Sequence, residues 1–191
     1  AKHALRDEAR AFTKWVPKQM ILDMDAEKIH FPHAYLEEAG RRNLLGIRIP
    51  KAYGGRGLGW VEDAIVAEES GVASYSLACL WGVGADIVSE AICGFGTEKL
   101  KNDIVVPLLK GKVPKGWQTS MYYRYWMHIE NHHVYAHYGV RTHRHKLIFY
   151  YADGCGQGGA ANNDPREPEW ELFDLEKDPH EMHNVYGDPA Y

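Results

Sequence analysis

The feature that most restricts what this chain can fold into is a change of period near Val113. Before it, apolar side chains recur at the three- and four-residue steps of a helix; after it they alternate as strand residues do. A pattern written for one of these structures does not settle into the other, so two differently built parts are expected.

In the first part, LRDEARAFTKWV sets Leu5, Ala9, Phe12 and Val16 on one helical face, and Pro17 ends or kinks that helix. FPHAYLEEAGRRNLLG predicts a second helix, with Pro32 in the first turn, Tyr35, Leu36 and Ala39 on one side, and Gly46 as a stop. IPKAYGGRGLG reads as a connecting loop. WVEDAIVAEESGVA and YSLACLWGVGADIVSEAICGFG read as central helices, with Gly82, Gly84 and Ala85 allowing close approach. Thr97 is placed to cap TEKLKNDIVVPLLKG. An antiparallel helical bundle over residues 1–112 is the expectation.

In the second part, residues 113–191, SMYYRYWMHI alternates Met121, Tyr123, Tyr125 and Met127 against Tyr122, Arg124, Trp126 and His128. HVYAHYGVRT, HKLIFYYAD and WELFDL are further strand candidates, and DGCGQGGAANNDPREPE is a long loop between the last two. DPHEMHNV predicts a short helix with Asp178 as cap, Pro179 first and Glu181 as capping-box partner. The fold class is therefore α+β: a helical bundle, then a small antiparallel sheet with a short C-terminal helix.

Composition narrows the function classes. Acids and bases balance before Val113, so the whole formal charge of -4 lies after it, and no run of like charge suggests nucleic acid as a partner. No uninterrupted apolar run has the length of a membrane span, and AKHALRDEARAF is unlike the apolar heart of an export signal. Three widely spaced cysteines, Cys79, Cys93 and Cys155, argue against a disulfide framework and fit a reducing, cytoplasmic setting.

Two resemblances emerge from longer motifs. AGRRNLLGIRIPKAYGGRGLG, AIVAEESGVAS and ICGFGTEKLKNDIVVPLLKGK together resemble the N-terminal helical domain of acyl-CoA dehydrogenases. That resemblance implies flavin-dependent α,β-oxidation of acyl-CoA, with FAD held largely by a middle β-domain and a catalytic glutamate supplied by a C-terminal bundle. The threonine-glutamate-proline and glycine-serine-aspartate segments expected soon after FGTEKLK do not follow. YYRYWMH, HYGVRTHRHKLIFYY and PEWELFDLEKDPHEMHNV resemble the C-terminal subdomain of type I sulfatases, and this likeness extends back through PLLKGKVPKGW. It implies sulfate ester hydrolysis by a formylglycine made in a C-x-P-x-R setting beside calcium, in a protein that is usually exported. Cys79, Cys93 and Cys155 all lack the proline and arginine of that setting. PLLKGK suits both families, so the chain crosses from one to the other inside it, a chimera.

Candidate sites follow from residue type and from resemblance. The dehydrogenase likeness implies that Trp81, Gly84, Ile87 and Val88 wall the far end of an acyl pocket; core packing is the alternative. The sulfatase likeness places His137 and Arg141 near a substrate cleft, where a guanidinium suits sulfate; pairing of Arg141 with a carboxylate is the alternative. His128, His132, His133, His137, His143 and His145 do not converge as a metal site must, so no metal is expected. Gly154, Gly156 and Gly159 form a formal G-x-G-x-x-G, but AANNDPREP cannot supply the helix that a pyrophosphate needs. Glu68 and Glu69 read as a structural or solvated pair.

These readings imply a catalytically incomplete composite, with no cofactor expected for the chain by itself. One alternative is an acyl-CoA oxidoreductase component completed by a flavin-binding partner through exposed apolar surface, which could also support a homo-oligomer. Another is a module that binds sulfated glycans through tyrosine and tryptophan faces. If the chain is an enzyme, the dehydrogenase chemistry is favoured over the sulfatase chemistry.

Overall fold

A computed structural model describes residues 1–191, except that the surroundings of Trp81 and Gly84 lie outside the described residues. The chain is α+β and divides into two compact units, Ala1–Trp117 and Gln118–Tyr191.

The first unit is helical. α1 (Lys2–Trp15) buries Leu5, Ala9 and Phe12, three of the stripe residues, and Val16 leaves the helix with an extended backbone. Proline at 17 demands this, because its ring disfavours helical geometry in the residue before it. α2 (Lys18–Asp25) follows at once. α3 (His33–Arg41) buries Tyr35 and Ala39, and Pro32 stands just before its first turn. The Tyr35 ring packs 5.0 Å from that of Phe12. Beyond α3 an irregular stretch carries Leu44, Leu45, Ile47 and Ile49, all at or below 1% exposure, so this loop is as much core as any helix.

α4 (Trp60–Gly71) begins where the Glu62 carboxylate accepts from the Gly59 amide at 3.2 Å. It is tied to α1 by Arg10, whose guanidinium donates to both oxygens of Glu69 at 3.0 and 2.7 Å. These contacts hold the Glu69 carboxyl below its usual range, mainly through the hydrogen bond from Arg10. Glu69 thus takes the structural role.

α5 (Tyr75–Leu80) continues through a π-helical segment, Trp81–Ile87, into α6 (Val88–Phe95). By length and composition this 21-residue helix could cross a membrane, with a mean hydropathy of 1.4 over its most apolar 18 residues. It is not the uninterrupted apolar run that a span was expected to need. Asp86 and Glu90 interrupt it, and Glu90 accepts a hydrogen bond from Arg48.

The Thr97 hydroxyl accepts from the Leu100 amide at 3.2 Å and starts α7 (Glu98–Leu100), as expected. A π segment, Lys101–Val105, carries the chain into α8 (Val106–Leu108). Two glycines then seat the end of this unit on α3. A Cβ on Gly40 would collide with the Lys110 backbone, and one on Gly111 (φ +69°) with the Leu36 carbonyl.

The second unit is a four-stranded antiparallel sheet in sequential order: β1 (Ser120–Tyr125), β2 (His137–Thr142), β3 (His145–Tyr150) and β4 (Glu169–Asp174). Opposed pairs include Arg124 with Tyr138, Tyr138 with Phe149, and Phe149 with Trp170. The β2–β3 turn is closed by the Thr142 hydroxyl, which accepts from the His145 amide at 2.8 Å. Arg144 donates to both oxygens of the buried Asp174 at 3.1 and 2.9 Å, holding that carboxyl far below its usual range. Gly139 leaves room for the Tyr123 ring, whose hydroxyl would lie 2.8 Å from a Cβ there.

The short helix expected from Asp178 onward is not formed; the segment is a series of turns. Its signals are taken by other partners. Glu181 has φ +56° and bonds Lys146 instead of reaching back to a cap. Asp178 accepts from the His183 amide at 2.7 Å. Asn184 straps the edge of β4, accepting from the Leu172 amide and donating to the Trp170 carbonyl, both at 3.0 Å.

Candidate functional site

Within the helical unit the space best shaped for a ligand is a cavity of about 300 Å³. Leu36 and Leu45 come from α3 and the stretch after it, Leu80, Val83 and Ala85 from the long helix. Val113, Pro114 and Trp117 close another side, and His33 and Lys112 are its two basic groups. Ile87 and Val88, two of the residues expected to wall an acyl pocket, do not line this cavity and stand 64% and 38% exposed. Trp81 and Gly84, the other two, lie outside the described residues.

One turn along the same helix, Asp86 is 5% exposed and its Oδ1 has no hydrogen-bond partner. Burial, reinforced by Asp63, pushes its carboxyl up to about 7, against the opposing pull of Arg48. Arg48 is already committed: it donates to Asp63 at 2.9 Å and to Glu90, and its guanidinium lies 3.5 Å from the centre of the Trp60 ring. This buried acid was not legible in the sequence, where it looks like any polar residue between apolar ones.

On the sheet, His137 and Arg141 are four residues apart on β2 and therefore share a face. The His137 ring sits 5.5 Å from Tyr125 and 4.9 Å from Tyr150, and its Nδ1 lies 2.7 Å from the Tyr135 carbonyl. Arg141 is exposed and makes no ion pair among the described residues. The Tyr150 hydroxyl is driven above its usual range by burial and by nearby Glu171.

The opposite face carries an aromatic ladder. Tyr122 lies 6.2 Å from Tyr138, Tyr138 5.5 Å from Phe149, and Phe149 4.5 Å from Trp170. Tyr186 extends it, stacked 5.6 Å from Trp170 with ring planes 12° apart. Tyr151 stacks on Tyr138, and Arg124 sits over Tyr151 at 5.5 Å.

The histidines do not meet. His128 is fully buried, accepts from the Ala136 amide through Nδ1 at 3.1 Å, and places Nε2 2.8 Å from the Asp164 carbonyl, so Nε2 carries the proton and both nitrogens are used internally. No group of three or more metal-ligating side chains is found among the described residues, so they do not fit a calcium site. Nor do they fit a flavin pyrophosphate at the glycine-rich loop. There Asn162 Oδ1 takes the Gly156 amide at 2.6 Å and Asp153 Oδ1 takes the Cys155 amide at 2.8 Å. Cys79, Cys93 and Cys155 are free thiols.

Comparison with known proteins divides the chain in the same order. Residues 1–112 match the acyl-CoA dehydrogenase N-terminal domain, and residues 91–191 match the C-terminal region of N-sulphoglucosamine sulphohydrolase. The chain is 37% identical to an N-acetylglucosamine-6-O-sulfatase of Bacteroides thetaiotaomicron over 82 residues, which are 43% of this chain and 12% of that protein. It is 34% identical to the mitochondrial isovaleryl-CoA dehydrogenase of Solanum tuberosum over 73 residues, 38% of this chain and 18% of that one. It therefore spans less than a fifth of either relative. Among solved structures, an acyl-CoA dehydrogenase of Geobacillus kaustophilus aligns with a TM-score of 0.54 at 17% identity, over 91% of this chain and 47% of that one. The acyl-CoA dehydrogenase of Bacillus anthracis, solved with FAD, gives 0.52 at 20% identity, over 92% of this chain and 31% of that one. At such identities these two speak for fold alone. The chain belongs to two families at once, the acyl-CoA dehydrogenase N-terminal domain through residues 1–112 and the N-sulphoglucosamine sulphohydrolase C-terminal domain through residues 91–191.

Proposed function

We propose that residues 1–191 are a catalytically incomplete composite, in which each family contributes a supporting module and neither contributes its reacting groups. The observation that carries this is the junction. Among the described residues α8 is followed directly by β1, with no strand between them, whereas the resemblance to the dehydrogenase family implies a flavin-seating β-domain after the helical one. On the sulfatase side, none of the three free thiols stands in a C-x-P-x-R context. The test is to supply the purified chain with FAD and measure acyl-CoA-dependent dye reduction, and separately to measure release from a chromogenic sulfate ester. Both stay at background on this reading, and saturable turnover in either assay overturns it.

A second reading, completion by a flavin-binding partner, is favoured by the uncovered long helix, where Tyr75, Ile87 and Phe95 are 81%, 64% and 96% exposed. Light scattering with and without an acyl-CoA oxidoreductase lacking its own helical domain tests it; unchanged mass excludes it. A role in sulfated-glycan binding is supported by the aromatic ladder with Arg124 beside it. Calorimetry that stays flat with a sulfated oligosaccharide removes that role.

A further inference from the structure

We propose that the outer face of the long helix, Tyr75–Phe95, is a self-association surface on which a second copy of this chain packs antiparallel about a dyad. This goes beyond the composite reading, and it seats a second copy where the flavin-partner reading needs a different protein.

Six outward residues recur at four-residue steps: Tyr75, Cys79, Val83, Ile87, Ala91 and Phe95, all exposed. In an α-helix each such step overshoots a full turn by about 40°, so the row would wind round to the buried side. The π-helical segment Trp81–Ile87, with its wider turns, undershoots instead and keeps the row on one side. The charges of the helix are withdrawn from this row: Asp86 is buried and Glu90 is held by Arg48.

The order of the side chains is what points to a second copy. Read from either end, the row runs aromatic, small, aliphatic, aliphatic, small, aromatic. A dyad passing midway between Val83 and Ile87 sets Tyr75 on Phe95, Cys79 on Ala91 and Val83 on Ile87, each contact occurring twice. The small pair lets the two backbones approach, and an aromatic pair closes each end. A surface that meets a different protein has no need of such reversal symmetry. A bilayer surface would call for cationic residues along the helix, and residues 75–95 contain neither lysine nor arginine. Tyr75 and Phe95, 81% and 96% exposed, together offer on the order of 350 Å², nearly half of the ~800 Å² that each partner gives to a stable interface.

The experiment is sedimentation velocity of the full chain from roughly 1 to 100 μM, with the register read by cross-linking. The mass is expected to double across that range. Phe95→Asp acts twice about the dyad and should weaken the dimer at least about a hundredfold. Met182→Asp, at a 74% exposed apolar position in the sheet unit, should leave the dimer unchanged. Ala91→Cys should give a disulfide-linked dimer under mild oxidation, joining Cys79 of one copy to the new thiol of the other. Within one chain those two positions stand on the order of 15 Å apart, beyond the reach of a disulfide. Adding Cys79→Ser should abolish the link, which separates it from pairing through Cys93 or Cys155. A monomer at every concentration, equal effects of Phe95→Asp and Met182→Asp, or a link that survives Cys79→Ser would each overturn the proposal.

Discussion

Asp86 offers a sharp test of how the helical unit is held together. Its carboxyl is raised from 3.8 to about 7 by burial and by Asp63, with Glu90 adding to the effect and Arg48 opposing it. Below about pH 4 the group is protonated in folded and unfolded chains alike and contributes no difference. Between about pH 4 and 7 the unfolded chain releases the proton while the folded chain keeps it, so stability falls as pH rises; above 7 the loss is complete. A shift of about three units corresponds to ~4 kcal/mol at 1.36 kcal/mol per unit, and partial screening by water reduces this to roughly 3 kcal/mol. Asp86→Asn keeps the shape and removes the charge. At pH 8 the variant should be more stable than the parent by about that amount, moving a urea midpoint up by roughly 1–2 M; at pH 4 the two should coincide. Using the difference between variant and parent cancels the opposite trend from Glu38, which is lowered to about 2 by Arg41 and Arg42. Equal midpoint shifts at both pH values, or a variant weaker than the parent at pH 8, would refute the reasoning.

Three further outcomes are expected. His128→Ala should destabilise the sheet unit by about 3 kcal/mol, because it empties a fully buried site and orphans the Ala136 amide; near-ultraviolet circular dichroism during urea unfolding measures it. Gly40→Ala should cost the helical unit about 2 kcal/mol or more through collision with the Lys110 backbone, whereas Gly71→Ala, with nothing within 4 Å, should be neutral or slightly stabilising. Asp174→Asn should lower the melting temperature at pH 7. That deficit should shrink as the pH falls below about 5, because the stability from a depressed carboxyl is present above its unfolded value and lost in acid.

What the sequence disclosed depended on how local the cause was. The stripe Leu5, Ala9, Phe12 is a property of one helix, and the Thr97 cap involves residues three apart, so both are legible. The strand alternation around Tyr122–Arg124 and Tyr138–Val140 is likewise local. The cavity is not, because Leu36, Val83 and Trp117 come together only through folding. DPHEMHNV misleads for a related reason: its cap signals are real, but Lys146 and the edge of β4 compete for Glu181 and Asn184. Nothing nearby in sequence marked His128 as a buried bridge between Ala136 and Asp164. The expected acyl-wall and cleft residues rested on resemblance, and the structure places Ile87 and Val88 in the open and His137 amid tyrosines.

The bare α-carbons of Gly40 and Gly111 carry a last implication, about ancestry. Residues 107–112, which both family matches cover, are also where the main chain is pressed onto α3 at Gly40 and Leu36. Slipping the splice by a single residue would swing Lys110 and Gly111 away from their seats and put a side chain where only hydrogen fits. A join within residues 107–112, which both family matches cover, leaves Lys110 and Gly111 on the seats that α3 offers.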